Sequence, residues 1–319
     1  MSTSPQRSPD SPPAHLDVLY AWVLSLRLKT LPLACCGIVL GASLAAVSAE
    51  AVWRWETALA ALSTALLLQI VANLANDYGD YVKAADTPER LGPRRGMQLG
   101  LIRPEQMRSA IVWASALAVL SGLVLMRLSC HSLVEVSVFL GLGLFSLIAA
   151  ITYTVGRHAY GYHGLGDLSV LVFFGWVSVT GSFYLLAEGF EPRVLVPATA
   201  CGLLSVLVLN INNLRDLEED KKHGKITLAV RLGARGARFY HAALLLMALA
   251  GLALSAWLWM PVRPWVWLWL LAVPVAFRHL YATLAFTEAQ DLRAGLATAV
   301  RINLLALGGF SLGLWARFA

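Results

Sequence analysis

Charge is scarce in this chain. Only 14% of its 319 residues are Asp, Glu, Lys or Arg, while 58% are hydrophobic and the mean hydropathy is +0.66. Soluble domains carry roughly 25% charged residues, so that class is excluded and a polytopic helical membrane protein is expected. Cysteine is scarce as well. Cys35, Cys36, Cys130 and Cys201 form no CxxC pair and have no histidine neighbour at ligand spacing, which removes a thiol-metal centre and leaves small apolar filler. No apolar core directly follows a basic amino-terminal region, so the chain does not open as a secretory signal peptide and the first span is expected to stay uncleaved. Residues 1–17, MSTSPQRSPDSPPAHLD, are too rich in Ser and Pro to bury a core and are expected to be a disordered tail. Residues 18–319 are expected to form one transmembrane domain.

Long apolar runs make up most of what is there. With about 20 residues needed per span, they fall near 31–49, 57–75, 108–126, 133–153, 168–187, 194–212, 239–259, 265–286 and 296–315, which predicts nine transmembrane helices. With the amino terminus in the cytoplasm, the inside segments hold 16 Lys and Arg and the outside segments hold 5. The positive-inside rule favours that orientation and puts the carboxyl terminus outside. Trp257, Trp259, Trp265, Trp267 and Trp269 bracket a Pro261 to Pro264 turn and read as an interfacial aromatic belt.

The polar residues concentrate in two segments, 73–105 and 210–238, each at the end of an apolar run. Acids at a span end are expensive enough to need a reason. Asn73, Asp77 and Asp80 stand at i, i+4 and i+7, one helical face if the helix continues past the interface. Asn212, Asp216 and Asp220 stand at i, i+4 and i+8, again one face. Lys83, Arg90, Arg94 and Arg95 follow the first set, and Lys221, Lys222 and Lys225 the second, a likeness that reads as an internal repeat. Carboxylates one turn apart suit Mg²⁺, which takes one or two of them together with phosphate oxygens and waters. Two such faces with bases between them point to diphosphate ester chemistry. Ordinary solvated loops are the bland alternative, disfavoured by two asparagine-led copies with the same plan, while Glu89, Glu218 and Glu219 read as solvated.

The stretches NLANDYGDYVKAADTPERLGPRRGMQLGLI and NNLRDLEEDKKHGKITLAVRLG, with SLRLKTLPLA at 25–34 and YTVGRHAYGYHGLGD at 153–167, carry a resemblance. The chain resembles the UbiA superfamily of intramembrane aromatic prenyltransferases over residues 20–318, and most closely the branch acting on 1,4-dihydroxy-2-naphthoate. The resemblance implies an all-α bundle of about nine transmembrane helices around a central cavity capped on the cytoplasmic side. It implies that Asp77, Asp80, Asp216 and Asp220 bind Mg²⁺, with Asn73, Asn76 and Asn212 beside them, and that these motifs hold the diphosphate of a polyprenyl donor. The superfamily's first motif often has a further Asp four residues after the second; Ala84 stands there, and Asp86 falls off the helical face. Arg95 matches the superfamily's loop arginine, with Arg94 its near rival. Lys29 would bring a cation to the cavity mouth, and Tyr153, His163 and Asp167 would face the acceptor. Arg157 departs from the small residue or proline expected in that branch.

The implied reaction ionises the allylic C–O bond of a polyprenyl diphosphate, with Mg²⁺, Lys83, Arg95 and Lys225 stabilising the departing diphosphate. An electron-rich small aromatic acid attacks; for the naphthoate, prenylation comes with loss of CO₂ and gives demethylmenaquinone. Partners are then the two substrates and membrane lipid, with no nucleic acid, in the cytoplasmic membrane with the motif loops on the cytoplasmic side. Superfamily relatives acting on 4-hydroxybenzoate, homogentisate or a chlorophyllide are the nearest alternatives. A cation-coupled transporter would hold its carboxylates near the midplane beside broken helices, and a CDP-alcohol phosphotransferase would show a DG-x₂-AR signature that this sequence lacks.

Overall fold

The computed structural model describes residues 15–48, 54–83, 96–260 and 263–316, with no strand among them. Helices α3 (Trp55–Val82), α4 (Pro104–Ser129), α5 (Leu133–Thr152), α6 (Gly166–Ala187) and α7 (Pro192–Arg215) are each long and apolar enough to cross a membrane. So are α9 (Leu228–Trp259), α10 (Pro264–Ala285) and α11 (Ala289–Trp315), with the short α8 (Leu217–Lys222) between α7 and α9. A ninth span comes from α1 (His15–Leu26) and α2 (Leu31–Val47), which pass the same test together across a 41° bend. The nine expected apolar runs therefore reappear among the described residues as eight spanning helices, or nine spans with the bent pair counted as one. Helices are the only open-ended structure a bilayer tolerates, because every backbone group must be satisfied within the segment.

The centre of the bundle is α7, whose Leu204, Leu207 and Ile211 are fully buried. It packs against α6, α9 and α11. At the periphery, Leu133, Val134, Phe145 and Ile148 of α5 are exposed, as suits a helix whose solvent is lipid. Within α6, Leu171–Thr180 winds as a wider π-helix, and the Cys201 thiol reaches the Phe174 carbonyl at 3.4 Å. All four cysteines are free thiols.

Three differences from the sequence reading matter. Helix α3 runs on to Val82, well past the apolar run, because its polar face is buried by protein rather than by lipid. Helix α9 begins eleven residues before its apolar run: the Thr227 hydroxyl accepts from Val230 N at 3.3 Å and caps it, and Gly233 at φ 68° kinks it. The tryptophan belt is only partly a belt. Trp257 and Trp265 are exposed, but Trp259 and Trp269 are buried, Trp259 lying edge-on to Phe183 and under the Arg193 guanidinium at 4.0 Å.

Candidate active site

The first motif occupies the last turns of α3. Asn73 accepts from Gln69 Nε2 at 3.0 Å and donates to the Leu26 carbonyl at 2.9 Å, tying α3 to the end of α1. Immediately after that carbonyl, Arg27 takes a left-handed backbone at φ 52°, unusual for a side chain with a Cβ. Its guanidinium donates to Asp77 Oδ1 at 2.8 Å, and Asp77 is fully buried. One turn on, the Asp80 carboxylate accepts the Tyr162 hydroxyl at 2.7 Å. Thr154 Oγ1 bonds the Ala75 carbonyl at 3.0 Å and Asn76 Oδ1 at 3.2 Å. Gly79 makes that approach possible, since a Cβ there would meet the Thr154 backbone at 2.7 Å.

The second motif does not lie on one continuous helix as its spacing suggests. Helix α7 ends at Arg215, and Asp216 leaves helical geometry at φ −94°, ψ 11°. Backbone bonds from Asp216 N to Asn212 O at 3.1 Å and from Asp220 N to Asp216 O at 2.8 Å carry the turn across this break into α8. Arg215 grips Asp216 as a fork, Nε to Oδ1 at 2.7 Å and Nη2 to Oδ2 at 2.6 Å, and adds Asn212 Oδ1 at 2.8 Å. Lys225 Nζ lies 3.2 Å from Asp220 Oδ1, while Asp220 Oδ2 is buried with no hydrogen-bond partner among the described residues.

A third segment, residues 153–165, joins the two motifs. The Tyr162 carbonyl accepts from Ile226 N at 3.0 Å and the His163 carbonyl from Arg231 Nη2 at 2.8 Å. The Tyr162 ring lies 3.9 Å beneath Lys83 Nζ and 5.9 Å from Lys225 Nζ. Burial pushes the Asp220 carboxyl up, Lys225 opposes this, and the charges of Asp216 and of Asp80 push it further up. Carboxylates of both motifs thus act on each other, an arrangement that calls for cations. Lys83 is lowered by burial, against the pull of Asp80, and Tyr153 is raised by burial.

A cavity of about 910 Å³ opens beside these motifs, with Lys29, Asn73, Asn76, Asp80, Tyr153, Asn212 and Lys225 in its wall. Its remaining wall is largely apolar, built by side chains such as Leu68, Leu140, Phe173 and Val177. Asp77, Asp216 and Asp220 are not in that wall, but each is held by a cation that is: Arg27, Arg215 and Lys225. Lys83 is stacked on Tyr162 rather than placed in the wall. Asp167 is not brought to the cavity wall; its carboxyl is buried. His163 and Arg157 are exposed. Arg94 and Arg95, with Asp86 and Arg90, lie outside the described residues. The sequence reading missed Arg27, Thr154, Tyr162 and the fork of Arg215. Only Arg215, adjacent to Asp216 in NNLRD, carried a local signal.

Among the described residues no three of His, Cys, Asp and Glu stand together as a metal cluster. Mg²⁺ takes few carboxylates and completes its shell with phosphate oxygens and water. Paired carboxylates from two motifs and the buried, unpartnered Asp220 Oδ2 fit that demand.

The model of the UbiA prenyltransferase family matches residues 31–305. A 1,4-dihydroxy-2-naphthoate octaprenyltransferase of Escherichia coli K12 is 49% identical over 93% of this chain and 96% of its own. Its namesake from Haemophilus influenzae is 41% identical over 93% and 96%. The apo structure of a UbiA homolog from Aeropyrum pernix K1 superposes with a TM-score of 0.71 at 16% identity, covering 92% of this chain and 99% of that one. A UbiA homolog from Archaeoglobus fulgidus, bound to DMAPP and Mg²⁺, gives 0.56 at 13% identity, covering 92% and 99%. With a bundle of up to nine spans, two facing aspartate motifs and this breadth of similarity, the chain belongs to the UbiA prenyltransferase family.

Proposed function

We propose that this protein transfers a polyprenyl group from polyprenyl diphosphate to 1,4-dihydroxy-2-naphthoate with loss of CO₂, a step of menaquinone biosynthesis. The observation that carries the reading is the polarity of the cavity: Arg27, Lys29, Arg215 and Lys225 line a wall that is otherwise largely apolar. Such a chamber suits a ligand with an anionic head and a hydrocarbon tail. The naphthoate acceptor follows the two relatives of 49% and 41% identity, whose names carry that substrate.

Asp77, Asp80, Asp216 and Asp220 would hold Mg²⁺, with Asn73, Asn76 and Asn212 beside them. When bound, Mg²⁺ neutralises charge on the diphosphate as the allylic C–O bond breaks. Arg27, Arg215 and Lys225, which hold carboxylates at the cavity edge, are placed to donate to diphosphate oxygens, and Lys29 adds a fourth cation. Arg94, Arg95 and Lys83 complete the basic set in this reading. The C–O electron pair leaves with the diphosphate. The ring carbon bearing the carboxylate bonds the allylic carbon, and the C–CO₂ bond returns its pair to the ring, giving the hydroquinone form of demethylmenaquinone. Apolar walls keep water from the cation. Tyr153, in the wall beside Asp80 and Tyr160, is the side chain best placed to meet the acceptor. In this reading the protein sits in the inner membrane, and the lysine and arginine balance favours both motif loops on the cytoplasmic side.

Membranes carrying the protein, supplied with Mg²⁺, a polyprenyl diphosphate and carboxyl-labelled 1,4-dihydroxy-2-naphthoate, should release labelled CO₂ in step with prenylated product. Prenylation of 4-hydroxybenzoate with its carboxyl retained, and no turnover of the naphthoate, would keep the donor site and overturn the acceptor.

A further inference from the structure

Tyr162 belongs to neither aspartate motif, yet it contacts both. Its hydroxyl reaches Asp80 of the first at 2.7 Å, its carbonyl takes Ile226 N beyond the second at 3.0 Å, and its ring faces Lys83 and Lys225. It is only 8% exposed. The turn that carries it is pressed into place: Gly161 N donates to the Tyr153 carbonyl at 2.9 Å, and a Cβ on Gly161 would meet that oxygen at 2.7 Å. A side chain held this firmly, with its O–H aimed at one carboxylate oxygen, sets the direction of the other.

We propose that Tyr162 is a positioning residue of the diphosphate site, orienting the Asp80 carboxylate for the metal and holding the lysines of the two motifs against one aromatic ring. This rests on the reading that Asp80 is a metal ligand. A neutral O–H fixes a carboxylate without cancelling its charge, which an arginine in the same place would do. A metal held there would meet an oriented ligand, the role that outer hydrogen bonds play around metal ligands generally. The ring adds a second function. Its π-system attracts both ammonium groups, so the cations from residues 83 and 225 are drawn to one ring, at 3.9 and 5.9 Å from its centroid.

The test uses the full-length purified protein, with Mn²⁺ as a spectroscopic substitute for Mg²⁺ and inorganic pyrophosphate as the anion. Free Mn²⁺ is followed by electron paramagnetic resonance for wild type, Tyr162→Phe, Tyr162→Leu, Asp80→Asn and Asp80→Asn with Tyr162→Phe. Losing one hydrogen bond to a charged group should weaken Mn²⁺ binding by about tenfold in Tyr162→Phe. Its apparent KM for Mg²⁺ should rise by a similar factor, with kcat at saturating metal falling less. Tyr162→Leu, which also lacks the ring, should weaken pyrophosphate binding further. In the Asp80→Asn background the Tyr162→Phe change should have little further effect, because the hydroxyl acts through that carboxylate. Wild-type Mn²⁺ affinity in Tyr162→Phe overturns the proposal. So does an equal loss with and without Asp80, which marks a packing role, and so does failure of Tyr162→Phe to fold, since a positioning hydroxyl leaves the fold intact. Wild-type protein that binds no Mn²⁺ with pyrophosphate overturns the metal reading itself and the proposal with it.

Discussion

Replacing Arg215 by methionine removes three hydrogen bonds of 2.6 to 2.8 Å and one half of an ion pair whose partners are only 4% and 5% exposed. Breaking a buried pair from one side costs about 3 to 5 kcal/mol, because the remaining charge loses its compensation. Asp216 keeps a further interaction, so the lower end applies, roughly 3 kcal/mol for Arg215→Met. Adding Asp216→Asn removes the stranded charge and should recover more than half of that loss. The coupling between the two substitutions is then about 1.5 kcal/mol or more, well above the few tenths expected of independent sites. The measurement is a denaturant titration of the detergent-solubilised protein for wild type, both singles and the double. Transfer activity should be lost in all three variants, so stability and turnover part company in the double. A single-variant cost below about 1 kcal/mol, or a double that loses the sum of the singles, would refute the view that Arg215 and Asp216 form one tightly coupled buried pair.

Asp77→Asn, Asp80→Asn, Asp216→Asn and Asp220→Asn should each lose most turnover while still inserting, since Asn keeps the shape and removes the charge that Mg²⁺ requires; near-normal rates in the Asp77 and Asp216 variants would sink the two-motif site. Gly79→Ala forces a Cβ to within 2.7 Å of the Thr154 backbone, so it should destabilise by about 1 to 3 kcal/mol and depress transfer; a neutral result in both assays would show that the two segments can part. His241 is not in the cavity wall; it is bonded to Asn210 Oδ1 at 2.9 Å and His279 Nε2 at 3.0 Å, all three residues buried. His241→Ala should cost about 1 to 3 kcal/mol through the polar groups left behind and leave the kcat of the folded fraction near wild type, read by thermal unfolding and a single-turnover assay.

The number of spans was legible because a bilayer imposes a length and an apolar composition on every helix, and both are local properties of the chain. The first motif's helical face was legible for a similar reason: Asn73, Asp77 and Asp80 sit within one helix, so their spacing is their geometry. Helix ends were not, since Val82 and Leu228 lie in charged segments whose helicity depends on burial against other protein. Nor did spacing reveal the break at Asp216, where backbone dihedrals respond to the Arg215 fork and to the turn into the next helix. The tryptophans near Pro264 looked alike in sequence, and only packing divided Trp259 and Trp269 from Trp257 and Trp265.

The chain's order of residues by itself determined the class of the protein and its apolar spans, and it singled out the acids and bases to which the proposed chemistry is assigned. The tertiary structure decided which of them meet. Arg27 finds Asp77 across 50 residues and Tyr162 finds Asp80 across 82; no pattern in either stretch marks the pairing. Asp167, by contrast, lies in the same conspicuous segment as Tyr162 and is buried outside the cavity wall. Lipid rewards each helix separately, residue by residue, so its demands are written along the sequence. A hydrogen bond between distant side chains exists only when the whole bundle has set two backbones at the right separation.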